Sequence, residues 1–146
     1  MSHGPFQSCD NGYMELIGKK NWETDNIAVL LVHHGITTPV RTAMTYADIS
    51  SATERAVAIV NPSLVIVAPK FQFRHDRVVF TLNESLTGRY VFYVLGNHTS
   101  LLSTDMVIGH VDLTGSGNAS SVNAEFSFIP YGTGFLFEIN RTVASS

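Results

Sequence analysis

Apolar residues fall in short runs along this chain, and clusters of Gly, Asn, Ser and Asp separate the runs where long helical patterns would otherwise stand. The first, Ile27-Ala-Val-Leu-Leu-Val32, is uninterrupted, as in a strand covered on both faces. From Ala56 the pattern is strand-like almost to the end: Ala56 to Val60, Ser63 to Val67, Lys70 to His75, Arg77 to Leu82, Arg89 to Leu95, Met106 to Leu113, Ala124 to Ile129 and Gly134 to Ile139. Phe71 and Phe73 alternate with polar neighbours, the period of two of a half-exposed strand. The spacing of the last two strands suits a hairpin.

The remaining segments read differently. Residues 1 to 12 are polar, contain Gly and Pro, and show no period, so they form an arm. Between Asn11 and Gly18, Tyr13, Met14, Leu16 and Ile17 can cover one face of a short helix stopped by Gly18 and Lys19-Lys20. Asn21 to Asn26 supplies turn and capping residues. Between Gly35 and Arg55 the signal is mixed, with a loop around Pro39 and Arg41 and a single helical turn at Tyr46 to Ser50. Short strands at this density predict a mainly β fold, a single-domain antiparallel sandwich or open barrel at 21 to 146, preceded by an arm with a short helix at 1 to 20.

Composition narrows the function classes. At 146 residues the chain suits one domain with its own core. Charged residues make up 14% and the formal net charge is −3, which lacks the basic excess of a nucleic-acid binder. Cys9 is the single cysteine, so an internal disulfide and a cysteine zinc cluster are excluded; in a flexible arm it is expected to be an exposed, passive thiol. No apolar run approaches the length of a membrane span, and the first ten residues do not resemble a secretory signal, so a soluble protein is expected. Sequons begin at Asn83, Asn97, Asn118 and Asn140; a Ser/Thr/Asn-rich β-protein also generates such triplets in its turns.

Candidate chemistry is sparse. His33-His34 could supply a metal ligand or a base, but neighbouring strand residues point to opposite faces, so the pair would not converge on one ion. His75-Asp76 reads as a solvated turn in preference to an oriented imidazole. Glu84, Asp105, Asp112, Glu125 and Glu138 are acid candidates by composition only. Trp22 is either a platform for a sugar or nucleobase or a packing residue under the first strand, and the second fits better. Tyr90, Phe92 and Tyr93 read as core and cross-strand pairs. No catalytic residue, metal site or cofactor is assigned.

Taken as a set, the arm ending near Gly18, Asn21-Trp-Glu-Thr-Asp-Asn26 with the strand Ile27 to Val32, Thr45-Tyr-Ala-Asp-Ile-Ser50, the aromatic strand Arg89 to Leu95, the strand Val107 to Leu113 and the closing pair Phe126 to Ile129 and Gly134 to Phe137 resemble small head decoration (cement) proteins of tailed bacteriophages. The likeness runs loosely from Tyr13 onward and contains no diagnostic motif. It implies a virion protein, made in the host cytoplasm, that binds the major capsid protein on the outer shell surface without catalysis, membrane or nucleic acid. It also implies a homotrimer, formed through aromatic-rich strand surfaces. In that reading Pro5, Phe6, Tyr13, Met14 and Leu16 contact the capsid or a neighbouring copy, while Trp22, Tyr46, Tyr90 and Asp112 are structural anchors. A tail, baseplate or fibre component and a carbohydrate-binding module are the alternatives. An enzyme using His33, His34 and His75 is a further one.

Overall fold

A computed structural model describes residues 3 to 35, 42 to 130 and 135 to 140. The loop expected around Pro39 and Arg41, and Met1 and Gly134, lie outside the described residues. The fold is mainly β, with antiparallel sheets and one short helix. In chain order its elements are β1 (Phe6–Ser8), α1 (Asp10–Gly18), β2 (Ile27–Val32), β3 (Thr53–Ala58), β4 (Ser63–Val67), β5 (Lys70–Arg74), β6 (Val78–Glu84), β7 (Thr87–Gly88), β8 (Tyr90–Leu95), β9 (Val107–Asp112), β10 (Ala119–Ser120), β11 (Ala124–Phe128) and β12 (Phe135–Asn140). Two short 3-10 turns, Tyr46–Asp48 and Ser50–Ala52, occupy the region where one helical turn was expected.

The principal sheet has the order β1-β9-β8-β2-β3. Its central strands β2 and β8 are buried along their whole length, which is why both are continuously apolar. On one face, Val29, Leu31, Val91, Tyr93 and Val111 meet Phe73, Val78, Phe80, Phe126, Phe128 and Leu136 of a second layer built from β12-β5-β4 and β11-β6. On the other face, Ala28, Leu30, Val32, Phe92 and Val94 are covered by Met44, Ile49 and Cys9, with Leu101 and Tyr46 packed beside them. The aromatic strand is therefore the middle of the protein. Its surface is spent on internal packing, so it offers no free face for the trimer contact expected of it.

Two expectations are corrected. The arm is, from Phe6 onward, part of the principal sheet: Phe6, Gln7 and Ser8 pair with Val111, His110 and Gly109. Phe6 also stacks on Phe137 at 4.8 Å and meets Tyr93 edge-on at 5.8 Å, so it holds the two layers together. The last two strands do not form a hairpin. β12 pairs with β5 and β11 with β6, because Phe137 stacks on Phe73 at 4.2 Å while Phe126 meets Phe80 edge-on at 6.1 Å. Aromatic matching decides the pairing over closeness in sequence.

Helix α1 starts at Cys9, whose N–H donates to the Ile108 carbonyl at 2.6 Å. That bond continues the β1–β9 register, in which Ser8 faces Gly109 and Cys9 faces Ile108; on its other side β9 carries a bulge, since Tyr93 opposes Gly109 but Val94 opposes Val107. Leu16 is buried, and Tyr13 leans edge-on against Phe137 at 5.6 Å. The helix thus closes one end of the space between the layers and turns Met14 and Ile17 outward.

Candidate interaction surface

The sheet β12-β5-β4 has a core-facing side made of Leu64 and Ile66 from β4, Phe71 and Phe73 from β5, and Phe137 and Ile139 from β12, as the pairing registers require. Only its near half meets the core. Phe73 is buried, but Ile66 is 69% exposed and Leu64 40% exposed, so the apolar side of the sheet runs on past the rest of the domain. Opposite it stands the last turn of α1, with Ile17 at 55% exposure. Between them lies an open cleft of ≈ 480 Å³ bounded by Leu16, Ile17, Trp22, Leu64, Phe71 and Ile139, with Lys20 and Asn21 at its rim. Met14, three residues before Ile17 on the same helical face, extends the apolar strip along α1 and is 70% exposed.

Among the described residues β4 is the free edge of this sheet. The Leu64 N–H donates to the Glu23 carboxylate at 3.1 Å, so it points away from β5. In an antiparallel ladder the backbone groups of alternate residues face the same way, which turns the N–H and C=O of Ile66 outward as well. No residue from Ser63 to Val67 carries a charge. An edge without charges, beside exposed aliphatic side chains, lacks the devices that usually discourage pairing with another strand.

The residues singled out from sequence are distributed as follows. Of the five assigned to partner contact, Leu16 is buried, Phe6 and Tyr13 are half-buried with Phe6 packed against the core, and Pro5 and Met14 are exposed. Trp22 is 3% exposed; its Nε1–H donates to the Arg74 carbonyl at 2.9 Å, and its ring lies edge-on to Phe73 and Phe137. It offers no exposed ring face to a sugar. Accordingly, a panel of glycans is expected to leave the Trp22 fluorescence spectrum unchanged, and a saturable shift with any one glycan would restore the carbohydrate-binding alternative. Tyr46 is half-buried beside the second core cluster. Tyr90 is buried, with the Arg89 guanidinium 5.0 Å from its ring centroid. Asp112 accepts bonds from Arg89 Nε and Nη2 at 3.1 and 2.9 Å. Burial alone would raise its carboxyl, but the Arg89 bonds and the N–H groups of Gly115 and Thr114 hold it below its ordinary value.

The histidines do not converge. His33 Nε2 meets Glu54 at 2.8 Å on the surface, and His34 is exposed, its backbone N–H bonded to Asn118. His75 is buried, not in the solvated turn expected of it. Nδ1 lies 2.6 Å from the Asp76 carbonyl and Nε2 lies 2.6 Å from the Tyr93 hydroxyl. The carbonyl can only accept, so Nδ1 carries the proton and Nε2 accepts from Tyr93. Burial lowers the His75 imidazole below its ordinary value, against the opposing effects of the Asp76 carbonyl and charge. A cavity of ≈ 560 Å³ beside it, lined in part by Asn61, Arg74 and Asp76, therefore meets an imidazole with both nitrogens already engaged. Among the described residues no three His, Cys, Asp or Glu side chains group to hold a metal. The carboxylates are dispersed too: Glu84 pairs with Arg55, Glu125 with Arg77 and Glu138 with Lys70. No described helix is long and apolar enough to cross a membrane.

No protein-family model, curated protein or solved structure matches the chain.

Leu64, Phe71, Ile139 and Ile17, which line the cleft, and the exposed Ile66 were not assigned to partner contact from sequence. Their apolar character was visible, but a run such as Ser63-Leu-Val-Ile-Val67 has the same pattern whether its own domain or another chain covers it.

Proposed function

We propose that the chain is a non-catalytic component of a virus particle, a decoration protein that binds the outer surface of a phage-type capsid and stabilises the shell. The observation that supports this best is the strip of exposed aliphatic side chains, Met14 and Ile17 on α1 and Leu64 and Ile66 on β4, standing on a domain whose principal sheet is already covered on both faces. Contiguous apolar surface beside a cleft, on a chain with few charges, suits contact with another protein. The resemblance of the sequence to head decoration proteins supplies the kind of partner, the major capsid protein.

Because Phe6, Cys9 and Gly12 are built into the fold, the shell contact is assigned to the outward residues of the N-terminal segment, Pro5 and Met14. The protein mixed with undecorated heads is expected to sediment with them at regular stoichiometry. Met14→Glu, at a site whose side chain is largely in solvent, should keep the melting temperature and lower shell occupancy about tenfold, as placing a charge in an apolar contact does. Absence of the wild-type protein from sedimented heads, or its localisation to tails in purified particles, would overturn the head assignment.

A further inference from the structure

We infer that two copies of this chain associate through the free edge of β4, with Ile66 of one copy opposite Ile66 of the other. The edge supplies the backbone half of the contact. Its one outward N–H near the start of the strand, that of Leu64, is occupied by Glu23, whereas the outward N–H and C=O of Ile66 have no described strand beside them. A two-fold axis at Ile66 runs the two strands antiparallel and lets the two residues exchange both N–H···O bonds, leaving the Leu64–Glu23 bond in place. The two three-stranded sheets then join into one, β12-β5-β4 continuing into its copy.

Side chains favour the same occupant. The Ser63–Val67 edge is uncharged, so pairing it with itself brings no like charges together. Ile66, with 69% of its surface in water, gains cover from the identical residue across the axis. Such a contact closes at two copies. The unit that this edge builds is a pair, in place of the trimer implied by the resemblance, and it doubles the number of shell contacts per bound particle.

Light scattering on the full chain as a function of concentration tests the pairing without any capsid, so its failure and that of the shell-binding assignment are separate results. The expected mass is twice the 16.0 kDa of the chain. Ile66→Lys should return it to the single-chain mass with the circular dichroism spectrum unchanged, while Leu82→Lys, at an exposed site on β6, leaves the pair intact. Hydrogen exchange adds a backbone readout: the Ile66 amide is expected to exchange at least roughly tenfold more slowly in concentrated than in dilute protein. A monomer at every concentration, a trimer, or a pair that persists in Ile66→Lys with the Ile66 amide unprotected would each overturn the assignment.

Discussion

Gly12→Ala is expected to destabilise the protein by about 3 kcal/mol or more, a large effect for the addition of one methyl group. A Cβ built at Gly12 lies 1.7 Å from the Val107 carbonyl oxygen and 2.4 Å from its carbon. These are backbone atoms, so no side chain can rotate away. The helix backbone touches β9 at this point because the Cys9 N–H, bonded to the Ile108 carbonyl in continuation of the β1–β9 pairing, starts α1 directly on the strand. Relief requires α1 to move outward by more than an ångström, which would break that bond and withdraw Leu16 and Cys9 from the core. Intrinsic helix propensity acts the other way, since alanine favours a helix by about 1 kcal/mol over glycine, and here the clash outweighs it. Urea unfolding of the two proteins measures the difference, and an equal or higher midpoint for Gly12→Ala would show that α1 is not seated on β9. Gly18, with nothing within 4 Å of its added Cβ, is the internal control, and Gly18→Ala should change the midpoint little.

The same helix shows where sequence was informative and where it was silent. β2 and β8 were legible because a strand buried on both faces has apolar residues at every position. Most boundaries of β4, β5, β9 and β11 also followed from apolar runs closed by turn residues. β1 was not legible: Phe6–Ser8 joins the sheet through backbone pairing with β9, and one phenylalanine makes no pattern. The hairpin expected of the last two strands failed because local spacing carries no information about whether Phe137 will find Phe73 or a strand closer in sequence. His75 and Tyr93 are 18 residues apart and meet only because two sheets stack, so the sequence offered Asp76 as the natural neighbour instead. The candidate surface was hidden for a different reason. Hydrophobicity reports that a side chain is better off away from water, and says nothing about which chain excludes the water.

Acid is expected to weaken the fold well before the carboxylates titrate, and His110 is the main cause. Its ring is 2% exposed, stacked on Phe92 at 5.2 Å and edge-on to Tyr90 at 5.4 Å, and Nδ1 has no hydrogen-bond partner among the described residues. Burial pulls its pKa down from 6.5 to about 4, with Asp112 opposing the shift and Arg89 adding to it. The folded protein therefore keeps His110 neutral in a range where the unfolded chain binds a proton. Stability is complete above the unfolded value near 6.5 and is lost as pH falls from there towards 4, by roughly 3 kcal/mol in all. His75, whose pKa is lowered in the same direction, adds to the slope, whereas Asp112, held below its ordinary carboxylate value, contributes only at lower pH. Replacing each histidine separates the contributions. His110→Phe removes a buried nitrogen without a partner and keeps the aromatic stack, so it should hold or raise the urea midpoint at pH 7.5 and flatten the loss between pH 6.5 and 4.5. His75→Phe should also flatten the slope, but it strands the Tyr93 hydroxyl in the core and should cost about 1 to 3 kcal/mol at every pH. A His110→Phe protein that loses stability with acid as steeply as the wild type would mean that the ring is hydrated or already protonated in the folded state, and the cover provided by β1 over this end of the sheet would have to be looser than the pairing of Gln7 with His110 implies.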